Sequence, residues 1–87
     1  MKKMKVKKVT LDVVKPVELK TTLLLEALKA TSVKRIEITS YELERNTEYL
    51  KLVVEGDDLE TEEILTMIKK YGAAIQNMDA LVAEKEP

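Results

Sequence analysis

"YELERNTEYLKLVVEG", from Tyr41 to Gly56, is the stretch that decides the fold. Residues 48–55 alternate, with Leu50, Leu52 and Val54 pointing one way and Tyr49, Lys51 and Val53 the other. A period of two marks a half-buried strand. Residues 33–44, "VKRIEITSYELE", read as a second strand. Its Ile36 and Ile38 face the core, and Thr39, Tyr41 and Leu43 fall on the opposite face. "RNT" lies between the two strands. Asn46 tolerates the left-handed region, so a short hairpin is the natural join. This pairing puts Glu44 opposite Glu48, with Glu42 on the same strand face as Glu44. Like charges directly across a ladder repel, so Arg45 or a cation is expected to offset them.

The chain on either side completes the pattern. Residues 4–14 alternate, with Val9, Leu11 and Val13 on one face and Lys8, Thr10 and Asp12 on the other. Lys15-Pro16 is expected to stop this strand, because proline lacks a ladder donor. Residues 17–30 change period and predict an amphipathic helix, with Leu19, Leu23, Ala27 and Ala30 on one stripe, Leu24 and Leu28 beside them, and Leu25 widening the face. Gly56-Asp57-Asp58 breaks the hairpin, and a second helix is expected over Thr61–Tyr71. Glu62 and Glu63 in its first turn and Lys69 and Lys70 in its last suit the helix dipole. Leu59 is placed to staple against Ile64, and Gly72 sits where a left-handed C-cap belongs. Residues 73–83 predict a last strand, and 84–87 a frayed tail. The order βαββαβ defines an α+β ferredoxin-like sandwich, with a four-stranded antiparallel sheet and two helices on one face. Residues 1–87 are expected to form this single domain.

Composition excludes several chemistries. Hydrophobic residues make up 45% and charged residues 36%, with no Cys, His, Trp or Phe. That is a globular chain with a thin core and a charged surface. Zinc sites of the usual kind, thiol catalysis and histidine acid–base chemistry are therefore ruled out. The segment after the first strand, "VVKPVELK", holds neither a glycine nor an arginine and builds no phosphate cradle. An RNA-binding sheet stacks bases on several aromatic rings. Only Tyr41 and Tyr49 are on offer here, so nucleic acid is not an expected partner. The basic start lacks the apolar core of a signal peptide, and no stretch is apolar enough to span a membrane. A cytoplasmic, non-enzymatic protein is the expectation.

Two features point to association. The sheet face away from the helices is expected to carry Thr10, Asp12, Val14, Tyr41, Leu43, Tyr49, Val53 and Met78, which is too apolar for water. Charge is also polarised: residues 1–20 hold seven lysines, and residues 42–63 hold nine acids. Complementary patches of this kind steer neighbouring copies together. Asp12, Glu44 and Glu48 are the candidate metal ligands, gathered toward the hairpin end of the sheet with Asp12 on the other face. Their hard oxygens suit Ca²⁺ or Mg²⁺. One chain does not supply the six or more oxygens Ca²⁺ prefers, so a site would draw on water or a neighbouring subunit. The competing reading is a solvated acidic hairpin.

Several segments resemble the domain of unknown function family 211, small proteins of archaea. "LDVVKP" (11–16) is similar to its first-strand motif, "ITSYELERNTEYLKLVVEGDDL" (38–59) to its hairpin, and "IQNMDALVA" (75–83) to its last strand. Gln76 stands where that family often has histidine, Ala80 where it often has an acid, and "LKATSVKRIEI" departs from its glycine-rich helix exit. The resemblance implies a ferredoxin-like fold, ring-shaped homo-oligomers and bound divalent cations, notably calcium, with no established activity. The expected function is thus a self-assembling cyclic homo-oligomer with a cation at its acidic residues. The alternative is a regulatory domain resembling amino-acid sensors, holding a small molecule between subunits.

Overall fold

The computed structural model describes residues 3–87. Lys2 of the basic N-terminal run lies outside them. Six elements follow in the expected order: β1 (Met4–Pro16), α1 (Thr21–Leu28), β2 (Arg35–Glu44), β3 (Thr47–Glu55), α2 (Thr61–Tyr71) and β4 (Ala74–Lys85). The strands form one sheet in the order β2-β3-β1-β4, with every neighbouring pair antiparallel. This is the ferredoxin-like α+β sandwich.

The core forms where the period-two pattern of the central strands meets the helices. Val9, Leu11 and Val13 of β1 and Leu50, Leu52 and Val54 of β3 are buried with Leu24, Leu28, Leu59, Ile64, Ile68 and Ala73. α2 has the predicted bounds. Gly72 caps it at φ 113° and donates its N–H to Lys69 O (3.0 Å). Leu59 and Ile64 flank its N-terminus in the same core cluster, as a hydrophobic staple requires.

Four boundaries differ from the sequence expectation. β1 does not stop before Pro16, which pairs with Thr47 of β3. Pairing to β4 ends at Val14 with Ala74, so the missing proline N–H breaks no ladder bond there, and Val17 N–H donates to Asn46 O (2.8 Å). α1 starts four residues after Val17, at Thr21. Leu19 N–H closes a turn onto Pro16 O (3.1 Å) and Lys20 is extended, so the chain leaves the sheet before it coils. The C-terminus is not frayed up to Glu86: Glu84 pairs with Lys5, Lys85 pairs with Met4, and Glu86 N–H donates to Lys3 O (2.9 Å). β1 runs past the end of β3, and β4 supplies the partner its first residues need.

The fourth difference is a bulge in the hairpin. Ser40 pairs with Leu50, but Glu42 pairs with Tyr49, so Tyr41 is an extra residue. Past it every partner moves by one. Leu43 pairs with Glu48 and Glu44 with Thr47, so Glu44 and Glu48 are not opposite each other. The turn is Arg45-Asn46, and Arg45, not Asn46, takes the left-handed conformation at φ 58°.

Gly56 is fixed by close approach. A Cβ there would lie 2.7 Å from Leu59 Cδ2 and 2.8 Å from the Ser32 carbonyl. The leucine tip could rotate, but the backbone oxygen could not. Gly56→Ala is expected to cost about 1–3 kcal/mol, read as a lower urea midpoint at unchanged slope. An unshifted midpoint would show that the β3–α2 link is looser than described.

Candidate functional site

Two polar clusters and one apolar strand stand out, and they occupy different faces of the sheet. The first cluster lies on the helix face, at the hairpin end. Lys15 has the parity of Val9, Leu11 and Val13, so its side chain enters the core and is 1% exposed. A buried ammonium needs a partner. Glu48, paired with it across β1–β3, supplies one: Nζ lies 2.6 Å from Oε1, and Nζ also donates to Pro16 O (3.3 Å). Ser40 Oγ donates to Glu48 Oε2 (2.6 Å). These hydrogen bonds, Lys15's first and Ser40's second, hold the Glu48 carboxyl below its ordinary value. The Tyr71 phenol donates to Lys20 O (2.6 Å), and its pKa is raised by burial and by the Glu48 charge.

The second cluster crosses the open face. Lys51 of β3 bridges Asp12 of β1 (2.9 Å) and Asp79 of β4, and Asn77 donates to Asp79. Tyr41 OH reaches Asp12 at 3.4 Å, and its ring lies 6.3 Å from that of Tyr49. The two carboxylates raise the Lys51 pKa, and Lys51 lowers that of Asp79. Desolvation, then Asp12, raises that of Tyr41.

The three candidate ligands are therefore not one set. Asp12 belongs to the open-face network, Glu48 to the buried pair on the other face, and Glu44 is exposed beside the turn. Two of them already neutralise lysines. Among the described residues no group of three acidic, His or Cys side chains could hold a metal. The three candidates of one chain do not come together as one ligand set. Lys15 was missed because the strand was expected to stop there, although period two continued from Val13 carries it into the core. Asp79 was missed because β4 has a register shift between Thr10/Ala80 and Leu11/Met78 that sets its face.

The polarised charges also meet within the chain: Lys3 bonds Asp58 at 2.8 Å, and Lys15 bonds Glu48. Of the residues expected on the open face, Leu43 lies instead on the helix face beside Glu48, because of the bulge. Met78 pairs with Leu11 and so also takes the helix face. The exposed apolar surface is concentrated differently. β4 is exposed along its length except at Ile75 and Ala83, and it presents Met78, Leu81 and Val82 at 40–48% exposure. α2 packs against part of β4 but leaves these three side chains exposed. The surface also holds open clefts. One of about 490 Å³ lies between α1 and the start of β2, and one of about 450 Å³ lies beside Lys15, Asn46 and Lys69. Among the described residues, no helix is long and apolar enough to cross a membrane.

Fold and surface together define a small ferredoxin-like α+β domain. Residues 7–86 match domain of unknown function family 211, described as uncharacterized, and the chain belongs to that family. It is 38% identical over 84 residues to an uncharacterized protein of Methanocaldococcus jannaschii, which covers 93% of this chain and 84% of the relative.

Proposed function

We propose that this protein acts by assembling with copies of itself into a closed ring, and not by catalysis. The observation that carries this reading is β4. It is a twelve-residue edge strand with apolar side chains exposed on both faces. Leu81 and Met78 share the helix face, by pairing with Val9 and Leu11, and Val82 shares the open face, by pairing with Lys8. A long edge strand of this kind left in water invites pairing with another chain. The opposite edge, β2, is unlike it: both edges are bulged, but β2 is shorter and carries Glu37, Glu42 and Glu44 in place of the apolar side chains of β4. Contact between two unlike edges is heterologous, and it closes into a ring when the rotation permits.

A divalent cation belongs to this reading only at a boundary between copies. Among the described residues no three acidic groups meet, so the oxygens would come from two chains, with exposed Glu44 the one of the three candidates already turned outward. Native mass spectrometry with and without chelator tests both parts. The expected result is one closed multimer, which loosens on chelation. Leu81→Lys together with Val82→Glu is expected to give a monomer with unchanged far-UV circular dichroism. A wild-type monomer throughout the micromolar range overturns the reading. A dimer indifferent to chelator but stabilised by a metabolite would favour the small-molecule sensor, for which the two clefts are the available sites.

A further inference from the structure

We propose that the tip of the β2–β3 hairpin is a two-register switch, gated by the repulsion between Glu42 and Glu48. The observed register sets two local preferences against each other. From Arg35 with Glu55 to Ser40 with Leu50 the ladder is regular, and then Tyr41 is skipped. The skip leaves a two-residue turn in which Arg45, a residue with a Cβ and a long side chain, takes φ 58°. Left-handed backbone disfavours such a residue and suits asparagine far better.

The regular ladder has an obvious continuation. Without the bulge, Tyr41 pairs with Tyr49, Glu42 with Glu48 and Leu43 with Thr47. The turn becomes Glu44-Arg45-Asn46. Three-residue hairpin loops place their left-handed residue last, which here is Asn46. Turn chemistry and strand regularity therefore both favour the straight register.

Cross-strand charge opposes it. Glu48 lies on the helix face beside Lys15 and Ser40. In the straight register Glu42 would point to that same face, directly opposite Glu48, with Lys15 the one lysine bonded there. Opposed like charges destabilise a pair. The bulge avoids this by sending Glu42 to the open face beside Tyr49 and bringing Leu43 next to Glu48. The Val17 N–H to Asn46 O bond helps hold that arrangement. Leu43, 65% exposed, is the group the switch moves: it lies on the helix face in the bulged register and beside Tyr41 on the open face in the straight one. This inference is independent of the assembly reading.

Amide NMR tests it, because the registers have different neighbours. The wild type should show Leu43–Glu48 cross-strand contacts, with microsecond-to-millisecond exchange confined to residues 41–48. Glu42→Gln removes the repulsion without changing shape, and should raise the minor population roughly 1.5- to 5-fold, with Leu43–Thr47 contacts appearing. Arg45→Gly relieves the observed turn and should suppress the exchange. Absence of exchange in both wild type and Glu42→Gln overturns the proposal. So does exchange in Glu42→Gln that persists unchanged when Arg45→Gly is added.

Discussion

Glu48→Gln is expected to lower stability by about 3 kcal/mol, a drop of roughly 12–24 °C in melting temperature for a domain of this size. The reason is the partner it abandons. Lys15 is 1% exposed and its ammonium rests on Glu48 at 2.6 Å. Removing the carboxylate charge leaves a buried cation with only neutral acceptors, the glutamine oxygen and the Pro16 carbonyl at 3.3 Å, and a buried charge stripped of its counter-ion is far costlier than the pair. The Lys15→Met/Glu48→Gln double variant should recover most of the loss, because the long apolar stem is kept and no charge remains inside. A single-variant loss below about 0.5 kcal/mol would mean that Lys15 reaches water.

The same pair sets an acid limb. The Glu48 carboxyl titrates below its ordinary 4.5 because Lys15 and Ser40 bond the charged form. A depressed folded-state pKa stabilises above the unfolded value, and that stability is lost as pH falls through the folded value. Stability should therefore decline from about pH 4.5 downward, and Glu48→Gln should flatten that part of the profile.

Leu24→Ala is expected to cost about 2–5 kcal/mol, and Leu23→Ala less than about 1 kcal/mol. Both leucines lie on α1, one residue apart. Leu24 is fully buried and Leu23 is 50% exposed. Truncating Leu24 removes apolar contact and leaves a cavity in a core that holds few large side chains. Truncating Leu23 removes a group that water already reaches. Paired chemical-denaturation curves decide the matter, and equal midpoints for the two variants would show that α1 is rotated from the orientation described.

That contrast also shows how far the sequence could be read. The 3.6-residue pattern located a helix and offered seven candidate apolar positions, but a run of three leucines does not say which faces the sheet. Its true start, at Thr21, makes the i, i+4 pair Leu24 and Leu28 the inner one. Alternation in β1 and β3 carried over unchanged, because both strands lie in the sheet centre and have one buried face. The edge strands were harder. In β2 the pattern was extrapolated through Tyr41, and the bulge reversed Leu43 and Glu44. In β4 the weak strand formers and the terminal charges hid the last two residues, whose pairing depends on how far β1 extends. Charges followed the same rule. Lys15 obeys the parity of β1, but ending the strand at Lys15-Pro16 hid it, and Asp12, Glu44 and Glu48 were grouped by their nearness to the hairpin end although Asp12 was already expected on another face.

One consequence of the topology concerns the order of events in making this protein. β1 and β4, paired from Met4 with Lys85 to Val14 with Ala74, are separated by every other element of the sheet. On the ribosome β1 can meet β3 before β4 has emerged. Val6 and Lys7 can then accept from Leu59 and Gly56 N–H, whereas Met4 and Lys5 find their partners in β4. Contacts that span so much of the chain close slowly. The β1–β4 ladder is therefore expected to be the last part of the sheet to form, and the long apolar edge with it.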